Sequence, residues 1–69
     1  MTIGQSMRAC REKKQITQLE LAEKIGTSNM TVSNWETDRF SPSLIMLMSV
    51  ADVLKVSIDE LIGRTVQSG

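Results

Sequence analysis

Histidine and tyrosine are absent from this 69-residue sequence, and cysteine, proline, phenylalanine and tryptophan occur once each. With one thiol, Cys10, and no imidazole, no disulfide closes within the chain and the usual zinc ligand sets cannot be assembled. The core must hold by packing alone. Without histidine, a nucleophile paired to a base, or a phosphate-cradling glycine loop, the chain has no constellation suited to catalysis, so an enzyme is not expected. Nor is a cofactor, a metal or a small-molecule ligand. No apolar run approaches the roughly 20 residues that span a bilayer, and the N-terminus has no charged stretch leading into an apolar segment. No membrane partner is therefore expected, and the cytoplasm is the expected location.

Net charge is missing too, since eight basic residues balance eight acidic ones. A nucleic-acid binder usually carries a basic footprint, and composition alone argues mildly against that class. Local potential matters more than the total, however. Residues 1–40 carry Arg8, Arg11, Lys13, Lys14, Lys24 and Arg39 against five acids, a thin excess of one.

What the chain does have is helix formers: Leu, Met, Ala, Glu, Lys and Gln dominate, and strand formers are scarce. The expectation is all-α, a five-helix bundle in one domain spanning 1–69, ordered over about 2–63 with a frayed tail over 64–69. Ile3, Met7 and Cys10 fall at spacings of four and three, which predicts a first helix to about Lys14 with those residues inward and Thr2 as its cap. Thr17 and Glu20 form a capping box that opens a second helix, with Leu21, Ala22 and Ile25 inward and Gly26 closing it. Ser28 caps a third helix that turns Val32 and Trp35 inward and ends near Thr37. Pro42 forces a loop over Asp38 to Ser41, and a fourth helix from about Ser43 buries Leu44, Leu47, Val50, Ala51 and Leu54. Ser57 and Glu60 form a further capping box for a short fifth helix through Ile62, stopped by Gly63.

The run Thr17 to Glu36 has the order of a helix-turn-helix. Ala22 allows two helices to cross closely, and Gly26 supplies the left-handed residue of a sharp turn. With Val32 and Trp35 inward, Asn29, Met30, Ser33 and Asn34 face outward at the end of the third helix that such motifs present to base edges. Asn pairs with adenine through two hydrogen bonds, Ser pairs with several edges, and a Met methyl suits a thymine methyl. Thr17 and Gln18, at the start of the second helix, are placed for phosphate, as is Thr31, and the exposed loop residue Arg39 is a candidate for phosphate or minor-groove contact. Lys13 and Lys14 are weaker phosphate candidates. Seen in isolation, Asn29, Ser33 and Asn34 would be an ordinary solvated face; the surrounding turn grammar favours base contact.

Trp35 reads as a core anchor, because single-strand binders offer several aromatics in one groove. Cys10 reads as a small hydrophobe. Ile45, Met46, Met48 and Val53 make the fourth helix apolar over more than one stripe, which points to a partner surface. The bland alternative is that Met48 and Val53 are core and Ile45 and Met46 are scattered surface residues.

On these blocks the chain resembles the Cro and lambdoid phage repressor type of helix-turn-helix protein, the Xre family. The resemblance covers about residues 3–62 and rests on Ile3, Met7, Arg11, the run TQLELAEKIG from Thr17, Ser33, Trp35-Glu36, Pro42-Ser43-Leu44 and Val56-Ser57 with Asp59-Glu60-Leu61. It implies a third helix in the major groove with Asn29, Met30, Ser33 and Asn34 on bases, Gln18 on phosphate, and a buried ion pair between Arg11 and Glu36. It also implies dimerisation through the C-terminal helices, with Ile58 and Ile62 joining Ile45 and Met46. Met30, Asp38 and Phe40 depart from the common pattern, Asp38 standing where glycine is customary. The expected function is sequence-specific double-stranded DNA binding by a homodimer on a palindromic operator, as a transcriptional regulator and repressor. The rival class is a protein-binding module, such as an antitoxin or an adaptor, which the apolar fourth helix and the neutral charge would also suit.

Overall fold

The computed structural model describes residues 1–63 and, within them, five α-helices: α1 (Ile3–Lys13), α2 (Gln18–Ile25), α3 (Asn29–Glu36), α4 (Leu44–Leu54) and α5 (Ile58–Leu61). The frayed tail expected over residues 64–69 lies outside the described residues. Each helix begins on a hydroxyl. Thr2, Thr17, Ser28, Ser43 and Ser57 all sit in extended backbone and accept from the N–H three residues on, satisfying a donor that the first turn leaves orphaned. Two of these caps are full boxes. Gln5 returns its side-chain oxygen to the Thr2 N–H at 3.0 Å, and Glu20 does so to the Thr17 N–H at 3.0 Å. The box expected at α5 is only half made, as Glu60 N–H donates to Ser57 Oγ at 3.1 Å with no return bond from the Glu60 carboxylate among the described residues.

The core is Met7, Leu21, Ala22, Val32, Trp35, Val50, Ala51, Leu54 and Leu61, so all five helices contribute to one cluster. Packing runs α2 on α3 and α4, α1 on α3 and α5, and α4 on α5. Gly26 ends α2 at φ +80°, and both it and Thr27 donate to the Ala22 carbonyl, which closes the helix in the left-handed manner glycine permits. Gln15, Asp38 and Lys55 also take positive φ at the other corners.

Three core expectations are corrected. Ile3 is 42% exposed, and the buried stripe of α1 is Gly4, Met7 and Arg11, with Ser6 beside them. The cause is Gly4: a Cβ there would lie 2.4 Å from the Trp35 carbonyl oxygen and 2.7 Å from that of Glu36, so bare glycine lets α1 approach the end of α3 and turns Ile3 to the flank. Cys10 is only half-buried, its thiol 3.7 Å from the Glu60 carbonyl oxygen. Burial, and then Glu60, push that thiol above its ordinary pKa, which disfavours the reactive thiolate. Leu44 is 66% exposed. It continues the Leu47–Ala51 stripe but lies in the first turn of α4. Among the described residues no helix is long and apolar enough to cross a membrane.

Candidate nucleic-acid interface

The α2–turn–α3 unit rests on the bundle through Leu21, Ala22, Val32 and Trp35, each buried. That anchoring decides what faces out. Asn29 and Met30 are exposed, Met30 at 73%, while Thr31, Ser33 and Asn34 are half-buried along the same rim. Among the described residues no hydrogen bond engages the side chains of Asn29, Ser33 or Asn34. Their polar groups are open to an outside partner. Thr31 is less free, since its hydroxyl lies 2.8 Å from that of Ser28 and its N–H donates to Ser28 Oγ at 3.1 Å.

The start of α2 is partly self-satisfied. Thr17 N–H and Glu20 N–H are taken by the capping box, which leaves the amides of Gln18 and Leu19 without a partner among the described residues. The Thr17 N–H and then its hydroxyl hold the fully exposed Glu20 carboxyl below its ordinary pKa, so the box carries a full negative charge at neutral pH. Gln18 also turns inward: its side-chain N–H donates to Glu36 Oε1 at 2.9 Å.

Glu36 is the hub of this region. Arg11 grips its carboxylate at two points, Nε to Oε2 at 2.6 Å and Nη2 to Oε1 at 3.1 Å, and sends Nη1 to the Ile16 carbonyl at 2.7 Å. The two side chains are 10% and 1% exposed. The hydrogen bond to Glu36 raises the Arg11 pKa above its ordinary value, with burial pulling the other way. The pair is the one the resemblance implies, and Gln18 adds a tie to it from α2.

The loop after α3 is pinned from two sides. Arg39 and Phe40 donate their N–H groups to the Asn34 carbonyl at 2.9 and 3.3 Å. Asp38, at φ +62°, accepts from the Gly4 N–H at 3.0 Å and from the Thr2 hydroxyl, so it caps α1 from a distant segment. No local pattern reveals that cap, because Asp38 and Gly4 are 34 positions apart. Arg39 is exposed and has no carboxylate within salt-bridge distance among the described residues.

The residues expected at a dimer interface divide by exposure. Ile45 is 74% exposed, whereas Met46, Ile58 and Ile62 are half-buried, Met46 and Ile58 against the core. Leu44 and Met48, the latter 52% exposed, extend the apolar surface around Ile45.

Residues 7–61 match the family described as helix-turn-helix. The immunity repressor protein of Bacillus phage phi105 is 38% identical over 64 residues, which is 93% of this chain and 44% of that protein. The HTH-type transcriptional regulator ImmR of Bacillus subtilis is 34% identical over 93% of this chain and 50% of its own length. The chain thus spans about half the length of these curated relatives. The crystal structure of the P22 c2 repressor in complex with a synthetic operator superposes with a TM-score of 0.83 at 32% identity, covering 90% of this chain and 94% of that one. Matched over most of its length in sequence, and on a phage repressor in shape, the chain belongs to the helix-turn-helix family of the Cro and phage repressor (Xre) type.

Proposed function

We propose that residues 1–69 form one DNA-binding domain of a transcriptional regulator, a repressor, that lays the rim of α3 in the major groove of double-stranded DNA. The observation that carries this reading is the set Asn29, Met30, Ser33 and Asn34, held outward by Val32 and Trp35 with polar groups unspent inside the molecule. It is supported by likeness to a repressor whose crystal structure contains an operator. Thr17, Gln18 through its backbone amide, Thr31 and Arg39 contact phosphate and set register. A second copy meets the face around Ile45, Met46, Ile58 and Ile62, so that two recognition helices enter successive major grooves about 34 Å apart on a palindrome. The protein works in the cytoplasm, without a cofactor and without catalysis.

The exposed apolar face of α4 also suits a protein-binding module, an antitoxin or an adaptor, and DNA retardation decides between the two. Wild type, Asn34→Ala and Arg39→Ala are compared in gel shifts with genomic fragments and random duplex. The expected result is retention of a discrete fragment by wild type, a loss of about 1–3 kcal/mol and relaxed base preference for Asn34→Ala, and a sequence-independent loss for Arg39→Ala. Retardation of no fragment at any protein concentration rejects DNA binding in favour of the adaptor.

A further inference from the structure

We propose that Asp38 is a positioning residue for Arg39: by clasping the first turn of α1, it holds the loop backbone from which Arg39 meets phosphate. The inference rests on the DNA-binding reading above and extends it to a residue that touches no DNA.

Three observations converge on Asp38. Its backbone is left-handed at φ +62°, a conformation that Asp and Asn tolerate better than most side chains. Its two carboxylate oxygens are both engaged, one by the Gly4 N–H at 3.0 Å and the other by the Thr2 hydroxyl. Finally, the approach that permits this is built into α1, because a Cβ on Gly4 would fall 2.7 Å from Asp38 Oδ1.

The clasp acts next to Arg39, an exposed cation in the loop after α3. Arg39 follows Asp38 directly, and its N–H is tied to the Asn34 carbonyl at 2.9 Å. The loop is therefore held to α3 on one side and to α1 on the other. A glycine at 38 would keep the left-handed turn while removing the second tie. Arg39 would then have to be ordered at the moment of contact, at a cost in backbone entropy that the clasp settles on folding. A merely structural role would lower stability without singling out Arg39.

The test is a double-mutant cycle read by duplex binding at a temperature where every variant is folded by circular dichroism. The probe is the fragment retained most tightly by wild type from a randomised duplex library. Asp38→Gly is expected to weaken binding by about three- to tenfold, the scale of ordering one residue partially or fully. In an Arg39→Ala background the same change is expected to have no further effect. Asp38→Asn, which retains an acceptor for Gly4 N–H and suits the left-handed backbone, is expected to restore wild-type affinity. Exchange of the Arg39 amide proton should quicken in Asp38→Gly and not in Asp38→Asn. If the effects of Asp38→Gly and Arg39→Ala multiply, or if Asp38→Gly binds as wild type does, the positioning role is wrong while DNA binding stands. If wild type retains no duplex at all, the functional reading falls and takes this inference with it.

Discussion

The guanidinium of Arg11 and the carboxylate of Glu36 meet at 2.6 and 3.1 Å in the joint between α1 and the end of α3, and almost no solvent reaches either group. Two consequences of that geometry are opposite in sign. Removing one partner leaves a buried charge unanswered, whereas removing both restores neutrality.

Arg11→Ala is accordingly expected to lose about 3–5 kcal/mol of folding stability. For a domain of this size that is a large share of the few kcal/mol available. The double variant Arg11→Met with Glu36→Leu is expected to lose much less than the sum of the two single changes. Urea unfolding of wild type, Arg11→Met, Glu36→Leu and the double variant measures the coupling, and additive losses would show that the pair is not energetically linked.

Gly4 offers a test in which local propensity and packing disagree. On an exposed helix face, replacing glycine by alanine would stabilise by roughly 1 kcal/mol. Here the new methyl meets carbonyl oxygens of the α3 backbone at 2.4 and 2.7 Å, which cannot swing aside as a flexible side chain would. Gly4→Ala is expected to destabilise by about 1–3 kcal/mol, read as a lowered thermal midpoint.

The Glu20 carboxyl gives a dependence on acid. Its folded pKa lies below its ordinary value, because Thr17 donates to the ionised form. The unfolded chain therefore binds the proton more readily. The stabilisation is present above the unfolded pKa and is lost as pH falls through the folded pKa. Glu20→Gln should keep the capping box, as Gln5 does in α1, and should show a shallower loss of stability on acidification over that range. Identical acid profiles for the two proteins would remove Glu20 from the account.

The apolar surface of α4 makes a separable prediction under the homodimer reading. Ile45 and Met48 are 74% and 52% exposed, so Ile45→Glu with Met48→Glu should leave the folded monomer within about 0.5 kcal/mol of wild type. The same change is expected to shift sedimentation from dimer to monomer. A dimer that persists with both glutamates present would place the interface elsewhere.

Much of this architecture was legible in the sequence because its signals are local. A hydroxyl before each helix, Gly26 after α2 and Pro42 before α4 mark the element ends from within a turn or two, and all five elements fall where those signals put them. The outward rim of α3 follows from the same grammar, as Val32 and Trp35 fix the inward side. What escaped depends on contacts between distant segments. Ile3 reads as core by spacing, yet the close approach at Gly4 rotates it out. Leu44 reads as core by register, yet it lies in the first turn of α4, where it is mostly exposed. The bonds from Asp38 to the start of α1 and from Gln18 to Glu36 leave no periodic trace, since neither partner is a sequence neighbour of the other.

The hub at Glu36 bears on the tempo of any encounter with DNA. Because α1 and α2 each fasten a side chain to the last residue of α3, the inclination of the presented helix is settled before a duplex arrives. Under the DNA-binding reading such a surface would dock as a preformed body, with little rearrangement to wait for. Differences in affinity among variants of its rim should then reside in how long the complex lasts, with the rate of arrival left to diffusion and to the sparse positive charge around the rim.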